Sequence, residues 1–392
     1  MIVRSLVTAV AAILIGAQVV RNAAVLGLSE TKPAQAARMW SSHPRAEISG
    51  AITEIARASR DRRRIPASVF AAMVDAAQKE PLASEPFLVR AATAELAGDS
   101  ATAQHAFEAA QWRDPRSLPA AYFLADRYFR LGDANRGLRE IAALSRLSPS
   151  GAVTVAPYMA AYAASRANWP ALRQLFRDNP DLAGAALAEL ARNASTAPAV
   201  LALADQRQKL TSAPWLPPLL NALAQAGQYA QAHDIWAKAA RIQPRAGELL
   251  HDSTFTDRSS PPPFNWALTS SIVGLAERQP GGRLRVIFYG QEDGFLATQL
   301  LLLPPGAYCL SMQLLGDPER ARALSWSVWC DKASGPLVSA TADAVVSRGL
   351  RFQVPAGCTA QWIRLAGASS AMPQQIDVTI AGLKLEKAAP GA

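Results

Sequence analysis

Cysteine is absent from the first 308 of the chain's 392 residues, and the three that occur, Cys309, Cys330 and Cys358, lie near the C-terminal end. No GxSxG, HExxH, CxxC or glycine-rich phosphate loop is present. The signatures of nucleophile-elbow hydrolases, zincins, thioredoxin-like redox proteins and phosphate-loop enzymes are therefore missing. Charged residues make up only 18% and aromatics 7%, against 50% apolar residues, which excludes a disordered chain. The net charge of +9 rests mainly on scattered arginine, with only seven lysines. No basic stripe interleaved with aromatics accompanies it, so nucleic acid is not an expected partner. The densest run, "RASRDRRR" from Arg57 to Arg64, suits a solvated helix end and turn, with contact to phosphate or an acidic polymer as the alternative.

What is present begins with an apolar N-terminus. "SLVTAVAAILIGAQVV", residues 5–20, is uncharged and flanked by Arg4 and Arg21. As a helix it rises roughly 24 Å, a little short of a ~30 Å hydrocarbon core, and continuation to residue 28 supplies the missing length. The run reads as a secretory signal h-region or as an anchor left uncleaved. The cleavage candidates beside it put Ile15 or Asn22 at the −3 position, which disfavours cleavage, and no cysteine nearby allows lipidation. The expectation is an uncleaved inner-membrane anchor, residues 1–28, followed by a linker, 29–49, with the bulk of the chain in the periplasm. Charge sets the orientation only weakly, because Arg4 on one side competes with Arg21, Lys32 and Arg38 on the other. A Cys330–Cys358 disulfide would close a loop of about 29 residues, worth roughly 3–4 kcal/mol on the chain-entropy view, and would need an oxidising space. Free buried cysteines are the alternative.

Residues 50–250 are rich in Ala, Leu and Arg and carry a fixed period. Gly98 and Gly132 are 34 apart, as are Pro115 and Pro149, and each Gly precedes its Pro by 17, as Gly227 precedes Pro244. Such a period marks stacked two-helix units, with Gly permitting the turn and Pro ending the second helix. These residues resemble tetratricopeptide repeats. The small positions of that family fall on Ala103, Gly137 and Ala232, the bulky ones on Phe107, Ile141 and Trp236, and the second small ones on Ala110 and Ala239, with Leu144 departing from the pattern. Pro81, Met73 and Ala76 place a degenerate repeat over 50–83, whose internal turn is "DRRR". Residues 150–212 are helical but out of period. The resemblance implies a concave groove binding protein partners, with Tyr122, Asp126, Phe129 and Arg130 on one helix and Asn221 and Gln225 on another. His105 and His233 fall on second helices of repeats, where a surface position is expected.

From residue 251 to 388 the period shifts to 2, and a short tail, 389–392, follows. Strands are expected at 265–269, 283–288, 297–303, 307–315, 324–330, 349–354, 361–365 and 376–385, separated by Gly, Pro and Asp turns. That pattern predicts an antiparallel two-sheet sandwich. The "FNW" and "GGRLRV" strands, the "QLLLLPPGAYCLSMQL" hairpin and the closing "IDVTIAGLKLE" resemble jelly-roll, galactose-binding-like modules attached to carbohydrate-active proteins. The resemblance implies a structural calcium held by Asp252, Asp257 and Asp377, although Thr256 stands where that family carries Glu. It also implies a glycan surface drawn from Trp266, Tyr289, Gln291, Asp293 and Trp329. Alternation in "LSWSVWC" sends Trp326 to the core with Leu324 and Val328, and Trp329 to the opposite face, exposed or packed under the 331–348 segment. Glu292 and Asp293 are adjacent, a poor arrangement for an acid–base pair.

The fold class expected is therefore an anchor helix, a tetratricopeptide-like helical solenoid and a β-sandwich. The function expected is non-enzymatic: a periplasmic scaffold in envelope or surface-polysaccharide assembly, binding proteins and a polysaccharide. The alternatives are a pure protein-interaction scaffold with a structural β domain and, last, a glycan-active enzyme.

Overall fold

A computed structural model describes residues 2–205, 210–242, 248–316, 320–372 and 374–388, without the side chains of residues 2–6 and 320. Pro244, the expected end of one repeat, and the 389–392 tail lie outside the described residues. The chain is helical in its N-terminal part and closes with an antiparallel sandwich, as the change of period predicts. It divides into two compact units, Met1–Val155 and Ala156–Ala392.

The first unit opens with α1 (Ile2–Ser29), α2 (Pro33–Met39) and α3 (Pro44–Arg60). Residues 29–49, expected as a linker, thus include α2 and the first turns of α3. The apolar stretch Val7–Ser29 is long enough to cross a membrane, and only 6% of its most apolar window is buried. The helices α4 (Ala67–Lys79), α5 (Glu85–Leu96), α6 (Ser100–Arg113), α7 (Leu118–Arg130) and α8 (Ala134–Leu147) complete three hairpins, α3–α4, α5–α6 and α7–α8, each packed on the next. In the second unit, α9 (Gly151–Tyr162), which begins in the first, leads to α10 (Trp169–Asp178), α11 (Pro180–Leu190), α12 (Ala197–Leu203) and a fourth hairpin, α13 (Leu216–Gln225) with α14 (Tyr229–Ala240).

The 34-residue period has a local cause. Gly98, Gly132 and Gly227 each adopt a left-handed backbone, φ +78°, +77° and +77°, just past a first helix. In each hairpin the Gly N–H bonds back three residues and the next N–H bonds back five: Asp99 to Ala94, Asp133 to Tyr128 and Gln228 to Leu223. This closes the helix's free carbonyls and needs a residue without a Cβ penalty. Asp99 and Asp133 then cap the following helix by accepting from Thr102 N and Arg136 N. The α3–α4 turn repeats the pattern with Arg62 (φ +52°) in the glycine's place, inside the arginine run. That run is the end of α3 and the turn after it, as expected, with Arg63 paired to Asp61 at 3.0 Å. The repeat positions expected to be small or bulky are buried: Ala76, Ala103, Ala110 and Ala232 fully, and Met73, Phe107, Ile141 and Trp236 nearly so.

The sandwich contains β1 (Ala267–Leu268), β2 (Gly274–Gln279), β3 (Arg283–Phe288), β4 (Gly294–Leu301), β5 (Gly306–Leu315), β6 (Leu324–Cys330), β7 (Pro336–Thr341), β8 (Leu350–Val354), β9 (Gln361–Gly367) and β10 (Ile376–Lys387). One sheet runs β1-β4-β9-β6-β7 and the other β2-β3-β10-β5-β8, antiparallel throughout. Phe255, Phe288, Trp266, Trp326 and Tyr308 fill the space between the sheets. The 331–348 segment expected as a loop is β7 followed by α15 (Ala342–Arg348). Cys330 and Cys358 are joined as a disulfide, with Cα atoms 5.6 Å apart, and Cys309 is free.

Candidate functional site

On β9 the residues alternate. Gln361, Ile363 and Leu365 point inward and are buried, while Trp362 and Arg364 occupy the outer face. Register places Trp329 of β6 directly opposite Trp362, and Ser327 opposite Arg364. On the other flank, Phe295 of β4 lies opposite Ala366, where a bulge separates it from Ala297. These strands thereby gather three rings round one cation. The Arg364 guanidinium carbon lies 4.9 Å from the Phe295 centroid, 5.4 Å from Trp329 and 5.7 Å from Trp362. Burial pushes this guanidinium down from its ordinary value, against the opposing pull of the Asp331 carboxylate. Phe295 is 48% exposed, and Trp329, Trp362 and Arg364 are half-buried.

The indole N–H groups are already satisfied. Trp329 Nε1 donates to Ser327 Oγ at 2.9 Å, and Trp362 Nε1 to Asp331 Oδ1 at 2.9 Å. The second oxygen of Asp331 accepts from the Tyr229 hydroxyl at the start of α14. Burial, reinforced by that carboxylate, pushes the Tyr229 phenol up to about 12. The result is a pair of anchored indoles, an exposed phenyl ring and a cation with no ion pair or hydrogen bond among the described residues. Such a surface offers π-faces to apolar C–H faces and a guanidinium fork to a carboxylate or hydroxyls.

Trp326 is fully buried and Trp329 lies on the opposite face, as alternation in β6 requires. Trp266, expected on the glycan surface, is instead 3% exposed. Its ring packs on Phe255 and Trp326, and its N–H donates to Asp252 O, so no face is offered to a ligand. Tyr289, Gln291 and Asp293 are exposed on the β3–β4 loop. Asp293 accepts from Ser369 N and Oγ, which holds its carboxyl below the usual range. Phe295, Trp362 and Arg364 were not among the residues expected. The signal lay in "QWIRLAG", whose alternation sends Trp and Arg to one side.

The three carboxylates expected to hold calcium do not fit a cation cage. Asp252 faces Arg278 at 3.6 Å, Asp257 faces His251 at 2.9 Å, and Asp377 holds Arg285 in a two-pronged pair. Among the described residues no three His, Cys, Asp or Glu side chains come together in a way that would hold a metal. Burial pushes the Asp257 carboxyl up, but hydrogen bonds from Ser260, His251 and Ser259 outweigh it and hold it well below the usual range. His233, expected at the surface, is half-buried, its ring 5.5 Å from Trp236 and 5.1 Å from Phe264. His105 is exposed.

Of the groove residues, Tyr122, Asp126 and Arg130 form an exposed stripe on α7, Asp126 and Arg130 being paired. Phe129 is a packing residue: its ring fills the space where a Cβ on Gly137 would stand. Asn221 and Gln225 are exposed on α13, in the other unit. Between α4 and α5 lies a mainly apolar hollow of about 530 Å³, lined by Phe70, Val74, Phe87, Val89 and Thr93, which the repeat pattern does not announce.

No family model matches the chain, and no curated protein matches it. Among solved structures, one chain from the crystal structure of accessory secretory protein 1,2 and 3 in Streptococcus pneumoniae is similar over 38% of this chain and 99% of its own. The identity is 13% and the TM-score 0.26, too slight a likeness to carry fold or function.

Proposed function

We propose that the chain is a non-enzymatic scaffold of a bacterial envelope, held in the inner membrane by α1. On this reading its tetratricopeptide-like array engages proteins in the periplasm, and its carbohydrate-binding-like sandwich engages a surface polysaccharide during assembly or export. The observation that carries this reading is Arg364 ringed by Phe295, Trp329 and Trp362 on the outer sheet face. A pyranose ring has an apolar C–H face that suits indole, and a uronate carboxylate suits the Arg364 guanidinium. The Cys330–Cys358 bridge supports an oxidising space on the far side of the membrane. The hollow between α4 and α5 suits apolar side chains of a protein partner.

Affinity electrophoresis of the full chain in detergent, through gels containing uronate-rich or neutral polysaccharide, tests the glycan arm. Retardation by the acidic polymer is expected. Trp329→Ala and Trp362→Ala should abolish it, and Arg364→Met should weaken it about tenfold or more. Unchanged mobility of the folded wild-type chain in every gel would remove the glycan arm. The second reading, a scaffold for proteins alone, would then stand on the Tyr122–Asp126–Arg130 stripe and the α4–α5 hollow.

A further inference from the structure

The apolar N-terminal helix is a single rod, but its side chains divide it at Arg21. Before that point they are exposed all round: Val7, Val10, Ile13, Leu14, Ile15, Val19 and Val20 are each 49–71% exposed. After it, one stripe is buried. Val25 is fully buried with Ala36 and Ala46, packed by Leu28 and Trp40, and the Ser29 hydroxyl turns back to Val25 O. Asn22 Oδ1 bonds the His43 ring at 2.8 Å, and His43 in turn accepts from Arg45 N to cap α3. One stripe of the last two turns of α1 therefore belongs to the core of the first unit.

The dividing residue is itself tied down. Arg21 Nε and one terminal nitrogen both donate to Met39 O, at 3.1 and 2.9 Å, and the guanidinium stacks 4.5 Å over Trp40. Arginine and tryptophan at the end of an apolar helix are the residues that settle at the headgroup level of a bilayer. The uncharged run 5–20 rises roughly 24 Å, and with Arg21 at the boundary it spans a thin hydrocarbon core. Lys32 and Arg38 are exposed close by and add positive charge on the same side.

We propose that α1 is a retained anchor whose last two turns are built into the helical array, so that the array sits directly on the lipid headgroup layer at Arg21 and Trp40. No free tether separates membrane from fold. Cleavage between Arg21 and Ser29 would strip Val25 from Ala36 and Ala46 and remove the Arg21 clasp. The inference rests on α1 being a membrane helix, and the tests separate the two.

Native membranes are first washed with alkaline carbonate, and the full chain is then extracted for intact mass. Resistance to carbonate and a mass that includes the residues before Val25 are expected. Release by carbonate, or a mature start after Val25, would overturn the membrane reading and this proposal together. Val25→Asp in the detergent-solubilised full chain should lower the helical melting temperature by roughly 5–10 °C, while Val10→Asp should leave it in place. Equal melting of Val25→Asp and wild type would overturn the built-in anchor while leaving membrane insertion standing. In vesicles of lipid brominated near the headgroup, wild type should lose a component of its fluorescence that Trp40→Phe lacks. An identical quenching fraction in the two would overturn the seating at Trp40.

Discussion

The hairpins α7–α8 and α13–α14 share one turn geometry and one pattern of small and bulky residues, yet their bulky residues pack differently. Nine residues after the turn glycine, Ile141 is buried, as a repeat position should be, and carries no polar side-chain atom. Trp236 holds the same position in the other hairpin. Its ring meets His233, His251 and Phe264, and its Nε1 donates to Pro261 O at 2.9 Å. The period specifies a hairpin and the residues that close it. It does not say what the hairpin packs against, and the one polar atom on the bulky residue reveals that.

The contrast is broken most severely at Trp236. Trp236→Ala should cost about 3–5 kcal/mol, because a large buried ring and a buried hydrogen bond are lost together. Ile141→Val should cost about 1 kcal/mol. Calorimetry of the two variants in the full chain checks this, and equal costs would erase the distinction between the hairpins.

A second effect belongs to the Ala156–Ala392 unit. Burial pushes the His233 imidazole below its ordinary value, with Asp234 opposing and His251 assisting. The unfolded chain then takes a proton near pH 6.5 while the folded one resists it, so stability is full above that value and declines as pH falls toward the folded value. Asp257 acts in a lower window. Its depressed folded value contributes stability above about pH 4 that is lost on further acidification. Melting curves from pH 7.5 to 4.5 should show the first slope, and His233→Gln should flatten it; a flat wild-type profile would rule it out.

The turns give the smallest effects. Gly132→Ala and Gly227→Ala should each cost about 1 kcal/mol, since both residues sit at φ +77°. Arg62→Gly, at the equivalent turn, should gain a few tenths to about 1 kcal/mol. Denaturant titrations in which Arg62→Gly loses stability would show that the α3–α4 turn is not the counterpart of the other three.

Much of the fold was legible because its rules are local. A left-handed glycine between helices and strict alternation in "LSWSVWC" leave marks that single residues carry. The strands that escaped were β2 and β7, "GLAERQ" and "PLVSAT". Each is the edge of its sheet, and β7 has no fully buried residue, so no clean alternation exists to be read. Trp266 misled for a related reason. "FNW" contributes only two following residues to β1, and the tryptophan precedes the strand and turns inward. The aromatic face escaped because it is assembled from three strands. Phe295 and Trp362 reach Arg364 from two strands, through a register that residues 67 apart cannot announce.

Asp331 is a hinge pin with two arms. One oxygen holds Trp362 on the sheet and the other holds Tyr229 at the head of α14. Movement of the Trp362 indole must therefore either break its own bond to Asp331 or displace the carboxylate that holds the Tyr229 phenol. If the sheet face takes a ligand that moves this carboxylate, thermodynamic reciprocity requires that ligand and any partner engaging α14 alter each other's affinity by the same factor.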